Sequence, residues 1–573
     1  MSNLYLNIYN QICDERGWKP RKYIVEALKR LYKYLDENEP KLMLLNLPTG
    51  YGKTSITEVI LKTILTYPKE LNYSRIIHVL PLKSIIHQLA TKLKRNFGDI
   101  YVGEQHMGVH DSPYLVRKCV ITTFDTFLLN FVKLPPVEFV KAIRYGITHH
   151  HFARAMIYSS LVIFDEPHLI ILGRGGRGGG LSVLTAVISS LLRTGSQVIL
   201  STASLPSTIK EELTSWLKAE FSSDIIDEIN YEDDPAFRNI YKNRVKVTVY
   251  NGDPRELVKS DIKRTIIIFN RVLDAVKTFK EFIRDSLLTS KYKDIMLLHG
   301  MLPENIKMKA IDIIQNEIPD LVIATHSIEA GVDISYERII TVPAHPDSII
   351  QRVGRIARRS NQYGEVVLLN PVYLDKDFGD YWNGYYNKEL SIQTFNYIKA
   401  EFLDKKVSKK VFSEKLRKFM EFSEISIYYD IEVNNDLYTI IKDCDNYEII
   451  DSRLVLKAFR VVKELSNGPI QCYPVIRNVI KSEYRLIVDE DKARSFLKKY
   501  NLFIKLSQGK LESTQDDDLL KLVMRDRNRD IPLSHLLIQR GYIGIGIPFN
   551  EIRTNYLPEE LENVIKRIKG EIV

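Results

Sequence analysis

Residues 44–55 read LLNLPTGYGKTS, and this stretch decides how the first part of the chain folds. The run LMLLN (42–46) is predicted to be a buried strand, and KTSITEVILKTIL (53–65) has the periodicity of a helix. A Gly-rich turn between strand and helix points backbone N–H groups and the positive end of the helix dipole at a phosphate. The stretch therefore predicts a phosphate-binding loop.

Each position of the loop has an expected role. Gly50 and Gly52 supply the tight turn, Lys53 would reach the β- and γ-phosphates of ATP, and Thr54 would offer its hydroxyl to Mg²⁺. Leu47 stands where the general pattern has Gly, but it lies at the strand end and is expected to pack inward. An ordinary turn is the alternative, but it does not account for a complete P-T-G-x-G-K-T. The predicted nucleotide-binding residues here are Pro48, Thr49, Gly50, Tyr51, Gly52, Lys53, Thr54 and Ser55.

A carboxylate pair follows another apolar run, LVIFDEPHL (161–169). The run would carry Asp165 and Glu166 to the carboxyl edge of a sheet, where open α/β sheets bind ligands. Asp165 would hold Mg²⁺ through its water shell, and Glu166 would orient and deprotonate the attacking water. His168 could link the γ-phosphate region to a neighbouring domain. Charged residues commonly end strands, so the carboxylate pair alone is weak evidence for a nucleotide site. Together with the phosphate loop it is strong evidence.

The composition is that of a globular protein with several domains. The 573 residues include 45% hydrophobic and 27% charged residues, and the net charge of +9 permits a polyanionic partner without requiring one. Four distant cysteines suggest neither a disulfide framework nor a zinc site, and a cytoplasmic location is expected. No signal peptide and no apolar run of about 18 to 20 residues are found, so no membrane segment is expected.

Short apolar runs alternate with helical patterns along the first 370 residues, which predicts parallel sheets covered on both faces. In the first half these runs are 42–46, 75–80, 118–123, 161–165 and 197–202. In the second half they are 265–270, 295–300, 321–325, 338–342 and 365–370. The acidic segment 222–237 is interpreted as part of the connection. The predicted domains are 1–225 and 226–375, both α/β, and a smaller α+β domain at 376–573.

Five motifs in order resemble those of superfamily-two helicases. P-T-G-x-G-K-T and D-E-P-H resemble the first and second motifs, and TASLP (202–206) resembles the third. ATHSIEAGVDIS (324–335) resembles the fifth, with His326 in place of the usual Gln, and QRVGRIARR (351–359) matches the sixth. The resemblance implies two RecA-like parallel-sheet domains in tandem that share one ATP. It also places Gly331 and Asp333 at the nucleotide.

The sixth motif is predicted to lie on a helix, where Gln351, Arg355 and Arg358 would share one face at spacings of four and three. Arg355 and Arg358 are the predicted arginine fingers, and Arg352 is expected to be structural. Such a finger is worth a factor of about 10³ to 10⁵ in phosphoryl transfer. The alternative is a basic helix face exposed to solvent, which would not explain the Gln-Arg-x-Gly-Arg pattern.

Contacts to single-stranded DNA are expected at several strand ends, although plain strand termini explain these residues nearly as well. The candidates are Pro81, Lys83, Thr122, Thr123, Asn270, His299 and Thr325. The basic segment 404–419 is interpreted first as a solvated helix face and second as part of a strand exit path. Ile24 falls about where related helicases carry an adenine-reading Gln, and stacking by Trp18 or Tyr23 is a weaker alternative to aromatic packing.

The details resemble the CRISPR-associated helicase of type I interference systems, on the DEPH box, TASLP, PLKSII (81–86) and the long region after the motor. That family implies a 3′-to-5′ single-stranded DNA translocase recruited to an RNA-guided surveillance complex. Its usual HD nuclease does not fit into the 46 residues before Leu47, so a separate HD-type nuclease subunit is expected. Two other functions stay open: a DNA-repair or RNA helicase, and an ATP-gated recruitment module without processive unwinding.

Overall fold

The structure is a computed structural model. It describes residues 3–37, 40–48, 50–81, 83–106, 109–138, 141, 148–171, 179–202, 205–232, 234, 237, 243–261, 263–292, 294–329, 334–358, 363–372, 386–422, 432–446, 476–478, 484–486, 490–507, 510–525, 536–537, 540–545 and 557–569.

The chain divides into two compact units. The first comprises Met1–Phe237, Tyr429–Val475 and Arg525–Tyr542, and the second comprises Arg238–Tyr428, Ile476–Met524 and Ile543–Val573.

An eight-stranded sheet forms the centre of the first unit. Its strands are β1 (Leu42–Asn46), β2 (Arg75–Leu80), β3 (Val102–His106), β4 (Val109–His110), β5 (Cys119–Thr123), β6 (Ser160–Asp165), β7 (Val198–Thr202) and β8 (Ile226–Asn230). They lie in the order β4-β3-β5-β2-β6-β7-β1-β8, parallel except for the β3–β4 pair. The central strands β1, β6 and β7 are buried except for the last residue of β1, as their continuous aliphatic runs predict.

Among the described residues before 237, two helices precede β1 and the others lie between strands along the chain. They are α1 (Leu4–Arg16), α2 (Lys22–Glu37), α3 (Thr54–Thr66), α4 (Lys83–Phe97), α5 (Phe124–Phe131), α6 (His150–Tyr158), α7 (His168–Ile171), α8 (Gly180–Arg193) and α9 (Ser207–Glu220). The apolar helix α8 is almost wholly buried, as its sequence predicts.

A seven-stranded sheet forms the centre of the second unit. Its strands are β9 (Arg244–Tyr250), β10 (Thr265–Ile268), β11 (Ile295–Leu298), β12 (Leu321–Ala324), β13 (Arg338–Thr341), β14 (Tyr363–Leu369) and β15 (Lys406–Ser408). Their order is β11-β12-β10-β13-β14-β9-β15, and only β15 is antiparallel to its neighbour. The helices are α10 (Pro254–Ser260), α11 (Val272–Arg284), α12 (Ser286–Lys291), α13 (Glu304–Asn316), α14 (Pro346–Val353), α15 (Lys388–Phe402) and α16 (Lys409–Met420).

The remaining elements belong to the last 140 residues. They are α17 (Asn435–Asn446), β16 (Ile476–Asn478), β17 (Tyr484–Leu486), α18 (Glu490–Tyr500), β18 (Phe503–Ser507), β19 (Lys510–Thr514), α19 (Asp517–Arg525), β20 (Tyr542–Ile545) and α20 (Glu559–Ile568). Strands β16 and β17 form an antiparallel pair, and β18 lies between β19 and β20 in a three-stranded sheet.

The ten predicted strands are all present, and they form two sheets of parallel strands as expected. The domain boundaries differ from the prediction. Strand β8 pairs with β1, so the segment interpreted as a connection contributes an edge strand to the first sheet. The region after residue 375 is divided between the two units, because α17 packs against α8 whereas α20 packs against α13. Among the described residues, no helix has the length and apolar character needed to cross a bilayer.

Candidate nucleotide site

The phosphate loop lies between β1 and α3, where the sequence predicts it. Gly50 and Gly52 have φ angles of +80° and +91°, a left-handed conformation that glycine adopts without steric cost. The turn is closed by the Tyr51 N–H, which donates to the Pro48 carbonyl at 3.1 Å. Leu47 is fully buried at the end of β1, so its predicted inward packing is confirmed. The loop therefore ends at the positive end of the α3 dipole.

Lys53 faces the carboxylates of β6. Its ammonium donates to Glu166 Oε1 at 3.1 Å and to the Leu47 carbonyl at 3.2 Å. Glu166 has a φ of +50°, a conformation that costs a non-glycine residue about 1 to 3 kcal/mol and that clusters at functional sites. The Glu166 N–H donates to the Ser201 carbonyl on β7 at 2.8 Å, which fixes this backbone. The structure thus brings Lys53 and Glu166 together.

Asp165 is the more enclosed of the two carboxylates. Ser201 donates to its Oδ1 at 2.7 Å, and His78 Nε2 lies 3.7 Å from its Oδ2. Behind it, the His78 Nδ1 is hydrogen-bonded to the Thr57 hydroxyl at 2.9 Å. Burial alone would raise the pKa of Asp165, but the adjacent His78 and the charge of Lys53 outweigh it and lower that pKa. Asp165 is therefore held as an anion.

A small cavity lies under the loop between these groups. Its volume is about 10 Å³, which is room for about one water molecule. The polar side chains that reach it are Lys53, His78, Asp165 and Ser201, and the rest of the wall is aliphatic. A water at this place would have enough polar partners to be held firmly.

The residues present fit a magnesium ion. Mg²⁺ binds through one or two carboxylates together with waters and substrate phosphates, so a site needs few protein ligands. The anionic Asp165 at the end of β6 and Thr54 at the start of α3 are oxygen donors of this kind. Within the described ranges, no group of three or more His, Cys, Asp or Glu side chains is arranged to hold a metal on its own.

Tyr51, between the two glycines of the phosphate loop, is buried in an aromatic cluster. The other members are Tyr23, Tyr231 and Phe237, and the ring centroids of contacting pairs lie 5.0 to 6.0 Å apart. Its hydroxyl donates to Asp234 and accepts from the Tyr23 N–H at 3.2 Å. Tyr23 is therefore part of the packing under the loop, which was the favoured alternative to base stacking. Arg21 donates to the Gly50 carbonyl at 2.8 Å and lies over the Tyr51 and Phe237 rings.

The structure describes four further residues that the sequence singles out. His168 begins α7 and is buried, with Nδ1 3.3 Å from Glu166 Oε2. Ile24 is fully buried at the place of the adenine-reading Gln, whereas Trp18 is half exposed beside Arg16. Ser55 donates to the Gly52 carbonyl at 2.7 Å, so its hydroxyl stabilises the loop.

The sixth motif departs from the predicted helix. Helix α14 ends at Val353, so Gln351 lies on the helix while Arg355 and Arg358 lie in the turn that follows. Beyond the helix, Ala357 adopts a left-handed φ of +47°, and Ile356 forms a β-bridge with Tyr336. The expectation that all three side chains share one helix face is therefore wrong.

The predicted structural role of Arg352 agrees with its surroundings. Its guanidinium is fully buried and donates to Glu329 Oε1 at 2.7 Å, to Thr341 Oγ1 at 2.6 Å and to Asn270 Oδ1 at 3.1 Å. Arg355, by contrast, donates to the Glu329 carbonyl, and the Arg358 N–H donates to the Ser335 hydroxyl at 2.9 Å.

Most of the predicted nucleic-acid contacts are buried at strand ends. Thr122 donates to the Gln105 carbonyl at 2.6 Å, and Thr123 caps α5. Asn270 bridges the Pro343 carbonyl and Arg352. His299 and Thr325 are fully buried, and His299 Nδ1 accepts from the Met301 N–H. These contacts favour the alternative of plain strand termini. Pro81 is half-buried after β2.

Some predicted residues lie outside the described part of the chain. These are Thr49, Gly331, Asp333 and the side chain of Lys83. Conversely, His78 and Ser201, which lie against Asp165, and Thr57, which is hydrogen-bonded to His78, were not predicted from the sequence. The one available signal was a histidine inside the otherwise aliphatic run RIIHVL (75–80).

Comparison with known proteins gives two family matches. Residues 261–361 match the model of the CRISPR-associated nuclease/helicase Cas3, C-terminal, and residues 17–174 match that of the type III restriction enzyme, res subunit. A putative CRISPR-associated nuclease/helicase Cas3 of Methanocaldococcus jannaschii is 24% identical over 69% of this chain and 53% of its own length. The corresponding Methanothermobacter thermautotrophicus protein is 22% identical over 78% of this chain and 55% of its length.

A solved structure shares the fold. The crystal structure of T. fusca Cas3 with AMPPNP has a TM-score of 0.54 and 15% identity, and the match covers 79% of this chain and 56% of that one. The chain spans about half the length of the curated relatives it matches.

Two parallel sheets, a phosphate loop with its carboxylate partners and five ordered motifs define the core of a superfamily-two helicase with RecA-like domains in tandem. Within that class, one of the two family models and both relatives named above are Cas3 proteins. The chain is therefore similar to Cas3 helicases in sequence.

Proposed function

We propose that the chain hydrolyses ATP at the Lys53 loop and uses the energy to move along single-stranded DNA and unwind duplex. The observation that carries this proposal is the convergence of Lys53, Asp165 and Glu166 at the carboxyl edge of the first sheet. A cation, an anionic carboxylate and a second carboxylate on a strained backbone suit phosphate binding and water activation.

In this proposal Lys53 binds the β- and γ-phosphates, and the N–H groups of the loop bind the remaining phosphate oxygens. Glu166 orients the attacking water and accepts its proton, and His168 holds the Glu166 carboxylate from behind. Mg²⁺ bound by Thr54 and Asp165 would neutralise phosphate charge. Arg355 and Arg358 would stabilise the transferring phosphoryl group as arginine fingers, with Gln351, Gly331 and Asp333 at the same nucleotide.

The biological setting rests on the likeness to Cas3. We propose 3′-to-5′ movement on target DNA that a CRISPR RNA-guided surveillance complex has opened, with cutting done by a separate HD-type nuclease. The matched relatives support the CRISPR setting by their names. The direction of movement and both partners follow from the family resemblance.

Four nucleic-acid substrates test the motor. ATP hydrolysis should rise at least about tenfold with single-stranded DNA and much less with RNA of the same sequence. A duplex with a 3′ single-stranded tail should be separated, while its 5′-tailed counterpart should not. Greater stimulation by RNA would favour the RNA helicase alternative. Stimulated hydrolysis without separation of either duplex would favour the recruitment module.

The partnership needs its own experiment. Unwinding of a surveillance-complex-bound target should produce cuts only when an HD-type nuclease is added. Cleavage by the purified chain alone in Mg²⁺, Mn²⁺ or Co²⁺ would contradict a separate nuclease while leaving the motor intact.

A further inference from the structure

The turn that carries Arg355 and Arg358 is held in a strained conformation. Ala357 between them has a φ of +47°, which costs a residue with a Cβ about 1 kcal/mol or more. The Tyr336 N–H donates to the Arg355 carbonyl and the Ala357 N–H donates to the Tyr336 carbonyl, both at 3.1 Å. Such a conformation persists only when its surroundings hold it.

Two side chains from elsewhere in the second unit hold the carbonyls of this turn. Lys409 Nζ donates to the Ile356 carbonyl at 2.7 Å, and Asn243 Nδ2 donates to the Ala357 carbonyl at 2.7 Å. The two are themselves connected, because the Lys409 N–H donates to the Asn243 carbonyl at 3.0 Å. Every carbonyl from Arg355 to Ala357 therefore has a donor.

Lys409 occupies an electrostatically unfavourable place. It is the first residue of α16, where the helix dipole repels a cation. Burial of its ammonium and the nearby guanidinium groups of Arg358 and Arg355 lower the pKa of Lys409 to about 7. A lysine on a solvated helix face, the favoured interpretation of segment 404–419, would have neither these neighbours nor this shift.

We propose that Lys409 and Asn243 are positioning residues for the arginine fingers, which fix the strained turn so that Arg355 and Arg358 keep one geometry. The inference rests on the proposed ATP hydrolysis and gives part of the region after residue 375 a role in it. Neither residue touches the nucleotide in this proposal. They act through the carbonyls of Ile356 and Ala357.

The first test separates catalysis from binding. Lys409→Met keeps the length of the side chain and removes the donor, and Asn243→Ala removes the other. Each should lower kcat for DNA-stimulated ATP hydrolysis about 10- to 100-fold, since a displacement of about 1 Å costs up to about 10² in rate. Affinity for a non-hydrolysable ATP analogue should change less than about twofold, because the phosphates are bound by the Lys53 loop.

Lys410→Met is the matched control. Lys410 is the next residue, its side chain is 44% exposed and it pairs only with Glu414 at 3.7 Å among the described residues. This variant should hydrolyse ATP at the wild-type rate. Wild-type kcat in both Lys409→Met and Asn243→Ala would overturn the proposal, and so would an equal loss in Lys410→Met.

The second test places the effect on the arginines. In an Arg355→Ala/Arg358→Ala background, Lys409→Met should lower kcat no further, because residues acting through the same groups are not additive. A full additional loss in that background would show that Lys409 acts elsewhere and would overturn the proposal. Wild-type hydrolysis by the Arg355→Ala/Arg358→Ala variant with a Lys409→Met defect would instead contradict the finger role in the proposed function.

Discussion

The ammonium nitrogen of Lys53 lies 3.1 Å from Oε1 of Glu166. The two side chains are only 9% and 19% exposed, so this ion pair is screened little by water. A triphosphate that binds Lys53 must compete with Glu166 for it. Nucleotide binding would then release the Glu166 carboxylate at the place where it has to act on water.

The first prediction concerns these two residues. Lys53→Ala should abolish ATP binding and hydrolysis. Glu166→Gln should lower kcat by about 10² to 10⁴, which is the usual contribution of a general base. Because the neutral amide no longer competes for Lys53, ATP affinity of the Glu166 variant should stay equal or rise. Fluorescent-nucleotide titration and a coupled ATPase assay measure the two quantities.

Both variants should bind single-stranded DNA within about threefold of wild type, since neither residue is a predicted DNA contact. Glu211→Gln is the control, because Glu211 is an exposed carboxylate on α9. Normal hydrolysis by either site variant would show that the catalytic centre lies elsewhere.

The second prediction concerns His78, which lies behind Asp165. His78→Leu removes the imidazole 3.7 Å from Oδ2, whereas His78→Gln keeps a nitrogen at a similar reach. Mg²⁺ is expected to raise nucleotide affinity, and this increase should be at least about fivefold smaller in the Leu variant than in the wild type. The Gln variant should lose less of the increase. The reason is that residues supporting a metal ligand contribute about 10- to 100-fold to metal affinity or activity. His87→Leu, an exposed histidine on α4, is the control. An unchanged Mg²⁺ effect in His78→Leu would contradict the positioning of Asp165 by His78.

The sheets were predictable because their strands are apolar on both faces. Short apolar runs such as 75–80 and 161–165 are typical of buried parallel strands, and both form such strands. Strand β8 was not predicted because it is a half-exposed edge strand with the polar sequence IDEIN, which lacks such a run. Strand β15 was not predicted for a related reason, since its three residues lie inside a lysine-rich segment.

The residues of the candidate nucleotide site were predictable to the extent that their spacing in the sequence is local. Lys53 and Glu166 each belong to a short motif, whereas the contacts of Asp165 with His78 and Ser201 join three different strands. The prediction that the whole sixth motif is helical was wrong because spacings of three and four residues are also typical of a helix. The left-handed Ala357 and the bridge from Tyr336 depend on distant residues that no local pattern reveals.

The third prediction concerns stability. Arg352→Met leaves the buried carboxylate of Glu329 without its guanidinium partner and Asn270 without a donor. Breaking a buried ion pair from one side destabilises a protein by about 3 to 5 kcal/mol. The midpoint of urea unfolding should fall accordingly, while exposed Arg284→Met should leave it unchanged. If Arg352→Met lowers the free energy of unfolding by less than about 1 kcal/mol, a structural role of Arg352 is contradicted.

The fourth prediction is a pH dependence from Asp347 on α14. Burial, followed by the nearby charge of Glu329, raises the pKa of Asp347 to about 7. Between the unfolded pKa near 4 and this value, the folded protein holds a proton that the unfolded chain releases. Stability from this group is therefore present at low pH and is lost as pH rises through about 7.

Asp347→Asn keeps the neutral form at every pH and should remove this dependence. From about pH 5 to about pH 8, the wild type should lose up to about 3 kcal/mol more free energy of unfolding than the variant. Chemical denaturation at both pH values measures the difference. Asp312→Asn, a half-exposed carboxylate on α13, should follow the wild type. If Asp347→Asn and the wild type lose equal stability over this range, Asp347 is ionised in the folded protein throughout it.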